Sequence, residues 1–120
     1  MPHQWSLPGE SRAAGMARRL VGEALATMSL ADDAVLVTSE LVTNAVEHGG
    51  GSVDLELAVD ADRVRISVTS RAGATEPRRA AADPDSDGGR GLAIVEQLGE
   101  QWGWHRHGDR LSVWAELVEP

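Results

Sequence analysis

Glu40 and Asn44 stand four residues apart in Val35-Leu-Val-Thr-Ser-Glu-Leu-Val-Thr-Asn-Ala-Val-Glu-His-Gly49, a stretch that closes on a glycine run. On a helix that spacing stacks the two side chains one turn apart along one line, so a carboxylate and an amide reach one small site. The carboxylate could polarise a water or an acceptor hydroxyl. The amide oxygen suits a hard metal such as magnesium, which takes oxygen ligands and keeps waters and phosphates as its others. The bland reading of the same pair is two ordinary polar residues on a solvated helix face. A second candidate is Gly89-Arg90-Gly91 directly before Leu92. Glycines there let backbone amides approach an anion, and the start of a helix dipole favours its charge. The Lys-Ser/Thr of a P-loop does not follow, and the motif alone equally describes a tight turn.

The elements that must position these residues follow from periodicity. At about 100° per residue, Val35, Val37, Leu41, Val42, Ala45 and Val46 cover one broad arc, and Ser39, Glu40, Thr43, Asn44 and Glu47 share the other, with Leu36 as its exception. Asp32 or Asp33 is expected to cap this helix. Upstream, Gln4-Trp5-Ser6-Leu7 reads as an edge strand ended by Pro8-Gly9. Ser11 is expected to cap a helix running to about Met28, weakened by Gly15 and Gly22 by about 1 kcal/mol each relative to Ala. After Gly49-Gly50-Gly51 the period changes to two. Val53, Leu55, Leu57 and Val59 alternate with polar residues, and so do Val64, Ile66 and Val68, which predicts a hairpin across Asp60-Ala61-Asp62 with one solvated face. Asp54 or Glu56 is expected to pair there with Arg63 or Arg65. Residues 71 to 88 have no useful periodicity and read as a long loop, either a lid, a binding loop or a disordered piece. Leu92 to Leu98 reads as a short helix stopped by Gly99, and a second hairpin turns at Gly108-Asp109 between Trp102-Trp104 and Leu111-Leu117. Helices covering one antiparallel-rich sheet give an α/β (α+β) two-layer sandwich on a mixed, mostly antiparallel sheet.

Composition sets the outer bounds. A chain of 120 residues is expected to form one domain, residues 1–120. Its net charge of −8 argues against nucleic acid or an anionic membrane as the main partner, since those surfaces attract clustered Lys and Arg. Cysteine is absent, which removes disulfides, thiol chemistry and cysteine-ligated zinc. No apolar run approaches a membrane span, and Met1-Pro-His-Gln lacks the regions of a signal peptide, so a soluble cytoplasmic protein is expected. Phe and Tyr are also absent, leaving Trp5, Trp102, Trp104 and Trp114 in a mostly aliphatic core. His48 reads as a helix-end residue meeting the negative end of the dipole. His105 and His107 share one strand face without a third metal ligand.

Taken together, Glu40-Leu-Val-Thr-Asn44-Ala-Val-Glu-His48-Gly49, a hairpin, a long loop and Gly89-Arg-Gly91-Leu92 resemble the GHKL ATPase superfamily of gyrase, heat-shock chaperones, histidine kinases and mismatch-repair proteins. The likeness spans nearly the whole chain and is nearest to the anti-sigma factor serine kinases and related actinobacterial regulatory ATP-binding proteins. The resemblance implies the Bergerat-type ATP-binding fold, with ATP and magnesium as cofactors. It implies Glu40 as general base, Asn44 as magnesium ligand, and Gly89 and Gly91 as phosphate-binding glycines, with Arg90 and Leu92 beside them. Residues 71–88 match the ATP lid, from which Arg78 or Arg79 could reach a terminal phosphate. Ser112 falls where the family often has a Thr or Ser near the adenine. Where the family carries an Asp that accepts a hydrogen bond from the adenine amine, followed by a Gly-containing turn, this chain has Ser70, followed by Arg71-Ala72-Gly73. A neutral hydrogen bond contributes about 1 kcal/mol against about 1.5 to 3 for one to a charged group. ATP binding weaker by about tenfold or more is therefore expected.

Two functions follow from this resemblance. One is a regulator that phosphorylates a serine on an antagonist protein and sequesters a sigma factor, and homodimers are common in the branch it resembles. The other is a binding module without turnover that docks a protein and binds nucleotide weakly or not at all. Glu40 and Asn44 favour the first, and Ser70 favours the second. A chaperone or topoisomerase ATPase module is disfavoured because no transducer segment follows Pro120. A sensor kinase is disfavoured because no phosphoacceptor helix precedes the domain.

Overall fold

The computed structural model describes residues 2–72 and 87–120, the side chains of residues 72 and 87–91 excepted. Its elements run β1 (His3–Leu7), α1 (Ala13–Ala24), α2 (Ala31–His48), β2 (Gly49–Asp60), β3 (Arg63–Ala72), α3 (Asp87–Leu98), β4 (Gln101–His107) and β5 (Arg110–Val118). The strands form a five-stranded open sheet in the order β1-β2-β3-β5-β4. Every pairing is antiparallel, so the sheet is not mixed as expected. With the helices layered on one face, the chain is an α+β two-layer sandwich.

Strict alternation builds that layering. Val53, Leu55, Leu57, Val64, Ile66, Val68, Leu111, Val113, Ala115 and Leu117 are buried beneath the helices. The residues between them, including Asp54, Arg65, Ser67 and Trp114, face outward. Trp102 and Trp104 pack partly buried against the core from the edge strand β4. Trp114 lies on the outer face, where the Arg65 guanidinium stacks 4.1 Å from its ring centroid. There the expected cross-strand pairs are rearranged. Arg65 and Arg63 donate to Glu116 at 3.0 and 3.4 Å, Asp54 accepts from Arg110 at 2.7 Å, and Glu56 accepts from Gln4 at 2.7 Å. The physical reason is sheet order: β3 lies between β2 and β5, so its arginines have a carboxylate on either neighbour.

Helix α2 sits over the middle of the sheet and packs against both α1 and α3. This position explains a departure from the amphipathic reading. At about 100° per residue, Ser39 and Asn44 lie about 140° apart, on the two flanks of the polar arc. Both are buried, at 8% exposure each. Ser39 accepts a hydrogen bond from Arg18 of α1 at 2.8 Å, while the arc between the flanks holds Leu36, Glu40, Thr43 and Glu47, of which Leu36 is 42% exposed. Thr38 points into the core, with its hydroxyl enclosed and unbonded.

Both helix starts differ from expectation. Helix α1 begins after Arg12 without a side-chain cap from Ser11 and ends at Ala24. Helix α2 begins after Leu30, which places Asp32 and Asp33 inside its first turn, where they favour the dipole but do not cap. The amides of Ser29 and Leu30 donate instead to the Glu119 carboxylate, at 3.1 and 2.7 Å. Glu119 thereby performs across the fold what a capping-box glutamate does locally. Helix α3 starts at Asp87, so Gly88 to Gly91 form its opening turn instead of preceding it. At the other ends, Gly51 takes φ +74° where β2 bulges, and Gly108 takes φ +64° in the second hairpin turn.

Candidate functional site

The C-terminal end of α2 delivers Asn44 and His48 to the point where the inward faces of β3 and β5 end. Ser70 is there because it continues the inward set Val64, Ile66, Val68, and it is opposite Leu111 in the register. A small pocket of about 20 Å³ is lined by Leu41, Asn44, Ala45, His48, Gly49, Val68, Ser70, Leu111 and Val113. That volume is room for about one water among the described residues. Asn44 and Ser70 are 8% and 4% exposed, and neither side chain has a hydrogen-bond partner among the described residues. Buried polar groups are ordinarily bonded. Among the described residues only Thr38 Oγ1 is both sealed from solvent and unbonded, so the polar atoms of Asn44 and Ser70 meet the solvent of the pocket, where water or a polar ligand can bond them.

Gly49 keeps that place tight. A Cβ on it would lie 2.6 Å from the Ala45 carbonyl, 2.7 Å from the Arg71 carbonyl and 3.0 Å from Ser70 Oγ. The requirement is for space, since its φ of −110° is extended backbone that any residue adopts. Here the helix end and the last turn of β3 are in direct apposition.

Among the other sequence-predicted residues, Glu40 is half-buried one turn before Asn44 on the same line of α2. Leu92 is buried at 1% exposure in the core beside α2. Gly89, Arg90 and Gly91 fall in the first turn of α3. Gly73, Arg78 and Arg79 lie outside the described residues, as does the expected lid apart from its ends, which belong to β3 and α3. Ser112 is not brought to the pocket. It sits on the outer face of the sheet, bonded to Thr69 at 2.6 Å, and lines a shallow hollow of about 690 Å³ with Ser67, Thr69 and His105. Alternation dictates this, because Leu111 and Val113 on either side point to the pocket.

His48 is a lining residue that helical periodicity offers, one turn after Asn44, and that its place at the helix end does not single out. Its ring is half exposed, and its nearest acid is Glu47 at 3.9 Å. The donor set fits magnesium carried in by a phosphate ligand. An unbonded amide supplies one oxygen, and magnesium takes its remaining ligands from phosphates and waters. No cluster of three acidic, His or Cys side chains that could hold a metal by itself occurs among the described residues. No helix there is long and apolar enough to cross a membrane.

Comparison with known proteins agrees with this arrangement. A model of the histidine kinase-like ATPase domain matches residues 7–117. No curated protein matches. Among solved structures, the chain is similar to the RsbU and RsbW domains of Rv1364c from Mycobacterium tuberculosis, with a TM-score of 0.77 and 24% identity, over 99% of this chain and 32% of that one. The chain thus spans about a third of that protein's length. It is also similar to the histidine kinase AdeS of Acinetobacter baumannii, with a TM-score of 0.56 and 11% identity, over 98% of this chain and 68% of that one. At these identities the likeness is one of fold. The match of the family model over most of the chain, on a fold that brings Asn44 and Ser70 to one pocket, shows that the chain belongs to the histidine kinase-like ATPase domain family.

Proposed function

We propose that this chain is an ATP-binding regulatory protein whose nucleotide site has Asn44 and Ser70 in its wall, and that it acts as a serine kinase on an antagonist protein while sequestering a sigma factor. The observation that carries the reading is the pair of buried, unbonded polar side chains meeting in one pocket. In this reading the base edge meets Ser70, and the phosphates lie toward the first turn of α3, where backbone amides and the helix dipole favour negative charge. Asn44 would hold the magnesium, which would supply charge neutralisation. Glu40, one turn away, would take the proton of the acceptor hydroxyl as its oxygen bonds the terminal phosphorus and the bond from that phosphorus to ADP breaks, leaving ADP. Positioning and charge neutralisation account for most of such catalysis, so these few groups suffice. The similar mycobacterial structure supports the fold at 24% identity, and the choice of partner class rests on the resemblance of the Glu40–Gly49 and Gly89–Leu92 motifs.

The test is incubation with MgATP and a candidate antagonist protein, with phosphoserine read by mass spectrometry. Transfer by the wild type and its loss in Glu40→Gln support the kinase reading. A second reading, a docking module without turnover, is favoured by the neutral Ser70, which weakens nucleotide binding. Sigma-factor binding that is retained without any phosphoserine would select it.

A further inference from the structure

Building on the nucleotide site proposed above, we infer that Ser70 relaxes the choice of purine, so that the site accepts nucleotides with a 6-oxo base, inosine and guanosine triphosphates, alongside ATP. Ser70 is 4% exposed. It has no hydrogen-bond partner among the described residues, and its Oγ faces the same pocket as Asn44. The walls beside it, Leu41, Val68, Leu111 and Val113, are apolar, and no carboxylate lines the pocket among the described residues. Among the described residues, recognition of a base edge at this point falls to one neutral hydroxyl.

A hydroxyl is both donor and acceptor, and its hydrogen rotates to suit the partner. Toward a 6-amino group it accepts, and toward a 6-oxo group it donates. Either way one neutral hydrogen bond of similar strength forms to the 6-substituent, while N1, a lone pair in adenine and an N–H in hypoxanthine, is not matched by Ser70 in either case. A carboxylate at this position could only accept. It would bond a 6-amino group strongly and set its lone pairs against those of a 6-oxo group, and such mismatched buried polar groups are what give a polar site its discrimination. Ser70 removes that source of discrimination together with the affinity it carried.

The experiment is titration calorimetry of MgATP and MgITP against the wild type, Ser70→Asp and Ser70→Ala, with thermal melts to show that each variant is folded. ITP has no 2-amino group, so it differs from ATP only along the N1–C6 edge, where a 6-oxo group replaces the 6-amino group and an N1–H replaces the N1 lone pair. The expected wild-type Kd values lie within about threefold of each other, whereas Ser70→Asp prefers ATP by about tenfold or more. Ser70→Ala should weaken both nucleotides. A wild-type preference for ATP of about tenfold or more would overturn the inference while leaving the nucleotide site in place. Unchanged affinities in Ser70→Ala would overturn it as well, because the hydroxyl would then not touch the base. Binding of ATP by Ser70→Asp alone would overturn it and leave the site's position standing. Binding of neither nucleotide by the wild type or Ser70→Asp would overturn the site itself.

Discussion

The carboxylate of Glu119 accepts the backbone N–H of Leu30 at 2.7 Å, tying the end of the last strand to the start of the helix that carries Glu40 and Asn44. Leu30 has no side chain able to cap, and none does. The contact joins residues 89 positions apart, so the helix start is bonded by the far end of the chain and not by a local cap.

Removal of that carboxylate is expected to be felt as loss of a cap. Glu119→Ala should cost about 1 kcal/mol, toward the middle of the range for N-cap deletions. Urea unfolding followed by circular dichroism would show it as a lower midpoint with an unchanged slope.

Thr38 should respond in the opposite sense. Its hydroxyl is enclosed at 0% exposure without a partner, and an unsatisfied buried group costs about 1 to 3 kcal/mol. Thr38→Val keeps the shape and removes that penalty, so it should raise stability by about 1 kcal/mol. A fall in the unfolding midpoint would mean the hydroxyl is bonded in solution.

Gly49→Ala is expected to damage both fold and site. The atoms that a new Cβ would meet include two backbone carbonyls, at 2.6 and 2.7 Å, which cannot swing aside as a side chain would. A loss of about 2 kcal/mol is expected, as for overpacking elsewhere. Since Ser70 Oγ is the third neighbour, nucleotide affinity should fall as well. Thermal melting and calorimetry on the same preparation would separate the two effects.

Much of this is legible locally. Period two in Val53–Val59, Val64–Val68 and Leu111–Leu117 yields both hairpins and their inward faces, and it already aligns Ser70 with the inward set. It also places Ser112 on the outer face, whereas the family likeness draws that residue toward the pocket against its own alternation. What cannot be read is what depends on neighbours distant in sequence. Ser39 and Asn44 look solvated on a helical wheel and are buried because helices lie on both sides of α2. Arg63 and Arg65 have acids available on β2 and turn to Glu116 because β5 lies on their other side. The start of α3 is hidden because Gly88, Gly89 and Gly91 have poor helix propensity, and the helix includes them nonetheless.

Calorimetric titration of MgATP into the wild type, Asn44→Ala and Ser70→Asp tests whether Asn44 and Ser70 form a nucleotide site. The wild type is expected to bind, Asn44→Ala to lose about tenfold or more in affinity, and Ser70→Asp to gain about tenfold by making the hydrogen bond a charged one. Heat changes absent from both the wild type and Ser70→Asp would contradict such a site.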